Sequence, residues 1–385
     1  MKCRGRDAIT GERIEVEFDT AIQHVDPILR AEPANAEPDN AAWIAPGFVD
    51  LQINGFAGAD FNSPWTTPRQ INDAITAVLS TGVTRFFPTV ITGAPEEMLG
   101  ALRNLAAARE SLENGAAMEA FHVEGPHISP EDGPRGAHPA RWVRPPDLDE
   151  FRRWQEAARD HIRMVTLAPE WPEAPRYIEQ LVRQGVVVSI AHTRPTPQQI
   201  ADAVAAGATL STHLGNAADS VLPRRDNYLW RQLAEDRLAA SFIVDEHHLS
   251  NAFLGVALRA KGVERSVLVT DATMPAMCTP GPYMLGGVPV ELTEDERVVL
   301  RGGTRLAGSS LRMDRAIGNV MKLAGVSLAQ AVTMATINAA RVGRVPGRLR
   351  GIQPGERADL VRFRLDSGRV EVLETYLSGR RVFAA

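Results

Sequence analysis

The chain changes its hydrophobic rhythm twice. Near the start, Arg13-Ile14-Glu15-Val16-Glu17-Phe18 alternates polar and apolar positions, the period-2 pattern of a half-buried strand. Near the end, 359–365 and 370–377 read as two strands separated by Asp366-Ser367-Gly368. After the first strands, a stretch with Pro33, Pro38 and several Ala, Asn and Asp reads as a linker. Between the β-rich ends, short apolar runs alternate with Ala-rich helical stretches. Helices are predicted over 71–79, 97–113 and 197–206, the last one stopped by Gly207. Strands are predicted over 84–89, 119–124, 164–167, 186–191, 210–213, 240–244 and 266–271.

Repeated βα units of this kind argue for parallel strands with crossover helices. Eight units closing into a (β/α)₈ barrel is the favoured architecture, with an open doubly wound sheet as the runner-up. Glu124, His192, His213 and Asp271 all fall at the C-terminal ends of predicted strands. In a barrel that end carries the active site, because the βα loops converge there. In an open sheet only the switch point gathers such residues.

Composition narrows the chemistry. The 385 residues exceed the roughly 250 of a barrel, so over a hundred belong elsewhere. The net charge of −5 gives no basic excess, which argues against a nucleic-acid partner. Cys3 and Cys278 are the only cysteines and form no CxxC, which excludes a disulfide framework or a thiolate zinc site and fits a reducing cytoplasm. The N-terminus lacks the apolar core of a signal peptide, and no run approaches the roughly 20 apolar residues of a membrane helix. A soluble enzyme is expected, with any metal held by His and carboxylate.

His192 and His213 are separated by about one βα unit, so they can occupy neighbouring strand ends and face one spot. Two neutral imidazoles and the Glu124 carboxylate, with one position open, suit a catalytic zinc-type site. That donor set does not by itself choose among divalent first-row metals. Any one of these histidines alone reads as an ordinary core or surface residue; the set is the specific signal. Asp271, ending a buried strand, needs a partner. It is a candidate acid/base beside an activated water, or else a cap on the following loop.

These residues carry a resemblance. The chain resembles the amidohydrolase superfamily, and within it the N-acetylglucosamine-6-phosphate deacetylase family. The matching stretches are Pro46-Gly47-Phe48-Val49-Asp50-Leu51-Gln52-Ile53-Asn54-Gly55, Val123-Glu124-Gly125-Pro126-His127, Gly136-Ala137-His138-Pro139 and Leu167-Ala168-Pro169-Glu170. They continue through Ala191-His192-Thr193, Thr212-His213-Leu214-Gly215-Asn216-Ala217, Val269-Thr270-Asp271-Ala272 and Leu306-Ala307-Gly308-Ser309 to Gly355-Glu356-Arg357-Ala358-Asp359-Leu360.

The resemblance implies a (β/α)₈ barrel over 46–345 and a small β-sandwich built from 1–45 and 346–385. It implies one divalent metal per chain on Glu124, His192 and His213, zinc first, with Fe²⁺, Mn²⁺ or Co²⁺ as alternatives. Many amidohydrolases carry His-x-His on the first barrel strand; here that place reads Gln52-Ile53-Asn54, so a second metal lacks its usual ligands. Asp271 becomes the catalytic acid/base of acetamide hydrolysis. By the match, His138 touches the sugar, His248 meets the sugar or phosphate side with His247 as its alternative, and Asn216 and Ala217 touch phosphate. A homodimer is implied, because the family shares a phosphate-binding arginine across subunits. The chain departs from the usual loop there and offers Arg224 and Arg225 instead, either as a phosphate grip or as a solvated surface pair. His24, His127 and His161 are expected to face solvent. Two further readings keep the metal chemistry and change the substrate, to an unphosphorylated or different acetamido sugar, or to another N-acyl amide. A non-catalytic binding protein would need the metal set to be broken, and it is intact.

Overall fold

The computed structural model describes residues 1–28 and 42–385; the linker predicted around Pro33 and Pro38 lies outside them. Eight parallel strands form one sheet in sequential order. They are β1 (Phe48–Ile53), β2 (Val83–Ile91), β3 (Phe121–Glu124), β4 (Ile162–Leu167), β5 (Val187–Ile190), β6 (Leu210–Ser211), β7 (Ala239–Phe242) and β8 (Ser266–Leu268). The chain just past β8 closes the ring on β1. Asp271 N donates to Gln52 O at 3.0 Å and Asn54 N to Ala272 O at 2.7 Å. The barrel predicted from the βα rhythm is therefore present, and the open sheet is not.

Each strand is followed by a helix: α1 (Pro68–Ser80), α2 (Pro95–Ser111), α3 (Leu148–Ala157), α4 (Ala174–Arg183), α5 (Pro197–Ala206), α6 (Tyr228–Ala234), α7 (Asn251–Lys261) and α8 (Met313–Ala324). Local sequence fixes several of their ends. In α1 and α5 a threonine at N-cap and a glutamine three residues on satisfy each other's backbone donors, with proline at the first turn. Gly207, at φ 112°, ends α5 as a left-handed cap.

The two ends of the chain meet in one seven-stranded sheet. Its order is Arg380–Ala384, Arg369–Leu377, Leu360–Asp366, Trp43–Pro46, Lys2–Asp7, Arg13–Phe18 and Ile22–Pro27. Val16, Phe18, Ile44, Leu360 and Tyr376 fill a core of its own. This is the small β unit that the resemblance implied. It is bolted to the base of the barrel by Asp359, which accepts from Arg85 Nε at 2.8 Å and from Arg348 Nη1 at 2.9 Å. One element escaped the sequence reading. Between Asp271 and α8 lies a four-stranded antiparallel sheet made of Gly281–Leu285, Val288–Leu292, Arg297–Leu300 and Leu306–Ser309.

Two histidines are corrected here. His127 is fully buried, its ring 5.3 Å from Trp154 and 5.2 Å from Tyr177. Burial pushes its pKa down to about 4, so it is a neutral core residue. His161 is half-buried, edge-on to Phe121 at 5.8 Å. His24 is exposed as expected.

Candidate active site

Glu124 ends β3, His192 lies two residues past β5, and His213 two past β6. Their places at the C-terminal ends of β3, β5 and β6 bring the three together at the mouth of the barrel. Glu124 Oε1 is 2.8 Å from His213 Nε2 and 3.2 Å from His192 Nε2. One ligand atom from each residue falls within a 4.8 Å cluster. All three side chains are almost wholly buried. His192, His213 and Asp271 hold φ of 48°, 35° and 51°, a left-handed backbone that non-glycine residues rarely adopt. The turn after Glu124 also depends on a special residue. Gly125 has φ 78°, and a Cβ there would meet Thr92 Oγ1 at 2.2 Å.

The electrostatics suit a cation. Burial opposes charge on Glu124, but hydrogen bonds with His192 and His213 hold its carboxyl well below the usual range. Burial likewise opposes charge on His213, but Glu124 pushes its pKa up. His213 Nδ1 is a buried nitrogen with no partner. A carboxylate and two imidazoles converging away from water are the donors a divalent ion takes, so the residues present fit one.

Asp271 is held beside this cluster by two amides of β1 and the residue after it. Asn54 Nδ2 donates to Asp271 Oδ1 at 2.6 Å, and Gln52 Nε2 donates to the same oxygen at 3.1 Å. The second hydrogen of Gln52 Nε2 serves Glu124 Oε2 at 3.0 Å. The positions expected to lack metal ligands thus fix the two carboxylates instead. Burial and the neighbouring Glu124 charge push the Asp271 carboxyl up to about 6. Asp50, buried one turn of the pleat below, accepts from Thr270 Oγ1 at 2.6 Å and so grips the residue preceding Asp271.

Glu124, His192, His213 and Asp271 line one cavity of about 770 Å³ together with His138, Asn216, Ala217 and His248. His138 Nδ1 is 2.8 Å from Thr92 Oγ1, and its ring packs 4.4 Å from that of His192. Burial and His192 push its pKa down to about 3, so it is neutral. His248 Nδ1 bonds to Asp245 Oδ2 at 2.6 Å. His247 is exposed and bonds instead to Asp295 O at 3.0 Å. Arg224 and Arg225 are exposed and do not line the cavity of their own chain. Sequence reasoning missed Arg194 and Arg305, which do line it, and the wall formed by Leu285, Val288 and Leu306 of the four-stranded sheet.

A sequence profile of the amidohydrolase family matches residues 43–382. The chain belongs to the amidohydrolase family. This amidohydrolase is 34% identical over 355 residues to a human N-acetylglucosamine-6-phosphate deacetylase, covering 89% of this chain and 84% of that one. It is 30% identical over 362 residues to an N-acetylgalactosamine-6-phosphate deacetylase of Escherichia coli O157:H7, covering 94% and 92% of the two chains. Its fold superposes on a solved N-acetyl-D-glucosamine-6-phosphate deacetylase of Mycobacterium smegmatis with a TM-score of 0.89, at 29% identity, over 100% of this chain and 99% of that one. That structure is an aspartate-to-alanine mutant in complex with N-acetyl-D-glucosamine-6-phosphate. The family membership and fold expected from the sequence motifs are borne out.

Proposed function

We propose that this amidohydrolase hydrolyses the acetamide of N-acetylglucosamine 6-phosphate, giving glucosamine 6-phosphate and acetate. The observation that carries the reading is the convergence of Glu124, His192 and His213 beside Asp271, whose Oδ1 is already occupied by Asn54 and Gln52. The substrates named for its relatives support the sugar and the phosphate. Glu124, His192 and His213 hold one divalent ion, zinc first. When bound, that ion supplies Lewis-acid polarisation of the amide carbonyl and lowers the pKa of the attacking water.

This chain's residues do the rest. With Oδ1 fixed by two amides, Asp271 presents Oδ2 to the water and takes its proton there. The raised pKa of Asp271 lets the same oxygen return the proton to the departing amine. Asn54 Oδ1 is buried and unpartnered at the cavity wall, free to accept from water or the substrate N–H. His138 and His248 meet the sugar, and Asn216 and Ala217 its phosphate. The enzyme is proposed to work in the cytoplasm as a homodimer, in which exposed Arg224 and Arg225 face a second copy. No helix among the described residues is long and apolar enough to cross a membrane.

The galactosamine relative supports a second reading, the C4 epimer as substrate. Acetate release from both N-acetylhexosamine 6-phosphates and from their unphosphorylated forms tests both. Turnover of the gluco 6-phosphate above the others is expected. Preference for the galacto 6-phosphate selects the second reading, and acetate release from none of them overturns both.

A further inference from the structure

The cavity wall on the Asn216–Ser220 side carries an arginine that no residue of the catalytic group uses. Among the described lining residues, Arg194 and Arg305 are the only Lys or Arg side chains. Their guanidinium groups are engaged differently. Arg305 turns both terminal nitrogens to the 132–136 loop: Nη1 bonds Asp132 Oδ1 at 3.0 Å and Gly136 O at 3.2 Å, and Nη2 bonds Asp132 Oδ2 at 3.2 Å. Arg194 commits one edge only, Nε and Nη2, to Asp219, with Nε to Oδ2 at 2.9 Å. Asp219 is itself fixed by Tyr228, whose Oη donates to Oδ2 at 3.0 Å and accepts from Asp219 N at 2.7 Å. The remaining Nη1 reaches only Glu131 Oε2, at 3.4 Å, past the usual range for such a bond. The Glu131 side chain is 58% exposed.

The backbone alongside is short of acceptors. Gly215 and Ala217 are left-handed, at φ 100° and 48°, and the N–H groups of Ala217 and Ala218 find no acceptor among the described residues. Peptide N–H groups turned in this way form an anion-binding concavity. A phosphate placed there has two more charge-assisted donors within the same cavity if it displaces Glu131 from Arg194.

We propose that Arg194 is a substrate-phosphate contact supplied by the chain itself, held in place by Asp219 and exchanged from Glu131 to the phosphate on binding. The proposal deepens, and rests on, the 6-phosphate reading above. Glu131 is then a competitor for the guanidinium, so its removal acts in the opposite direction to removal of Arg194.

The test compares kcat/KM for N-acetylglucosamine 6-phosphate with that for unphosphorylated N-acetylglucosamine. In Arg194→Gln the ratio of the two is expected to fall at least tenfold, chiefly through KM of the phosphorylated sugar. Arg194→Lys, which keeps the charge without the fork, recovers part of it. In Glu131→Gln the KM for the phosphorylated sugar falls about twofold or more. A folded Arg194→Gln that keeps the wild-type ratio, or loses both substrates equally, overturns the proposal. Should Arg194→Gln fail to fold, Glu131→Gln decides, and a KM that stays level or rises overturns it. Wild-type protein that turns over neither sugar overturns the functional reading itself, and Arg194 with it.

Discussion

Asn54 Nδ2 lies 2.6 Å from Asp271 Oδ1 and donates to it across the seam that closes the barrel. A donor of this kind favours the charged carboxylate and so lowers its pKa, against the burial that raises it to about 6. Removing the donor, as in Asn54→Ala, therefore raises the Asp271 pKa. The base form is lost at higher pH, so the acidic limb of kcat/KM moves toward neutrality. The pH–rate profile checks this. A limb that stays in place or moves to lower pH contradicts the role given to Asn54.

Asp271→Asn keeps the shape of the side chain and removes its basicity. General acid–base catalysis contributes about 10²–10⁴-fold, so acetate release falls by that order. The metal content stays near wild type, because Asp271 is not among the three converging donors. Elemental analysis of the purified variant beside its turnover separates the two effects. Loss of metal together with activity would make Asp271 a ligand.

Asp359 makes a prediction about stability rather than catalysis. It is fully buried and pairs with Arg85 and Arg348, tying the terminal sheet to the barrel base. Asp359→Ala leaves the buried Arg348 guanidinium without its anion and Arg85 with only Glu119, at 3.5 Å, a loss of about 3–5 kcal/mol. Denaturant melts measure it. Burial opposes the charge on Asp359, but Arg348 and Arg85 hold its pKa down to about 2, from an ordinary 3.8. The sign follows from linkage: the stabilisation is complete above about pH 4 and is lost as pH falls toward 2. The Asp359→Ala variant should lack this acid-side slope.

Much of this architecture is legible in the sequence, for a physical reason. A parallel strand buried on both faces is a short apolar run, so 186–191 and 210–213 mark β5 and β6, and the histidine following the first run and ending the second, His192 and His213, marks the mouth of the barrel. Strand β1 holds a less obvious signal. Asp50, Gln52 and Asn54 recur at every second position of an apolar stretch, and period 2 sends all three inward. Read that way, the two amides are partners for buried carboxylates and not only missing metal ligands. The four-stranded sheet was signalled by Gly286-Gly287 ahead of the alternation Val288, Val290, Leu292. His127 was illegible, because its burial depends on Trp154 and Tyr177, which are distant in sequence. Arg194 follows His192 by two residues, yet only the folded loops bring it against Asp219 and into the cavity.

The central claim is that Glu124, His192 and His213 together hold one divalent ion on which amide hydrolysis depends. Titrating zinc into chelator-stripped protein, with binding and acetate release from N-acetylglucosamine 6-phosphate read on the same samples, tests it most directly. The account predicts about one ion per chain, activity rising in step with occupancy, and both lost in His213→Ala. Full activity in the stripped protein, or tight binding of the ion that survives His213→Ala, would contradict it.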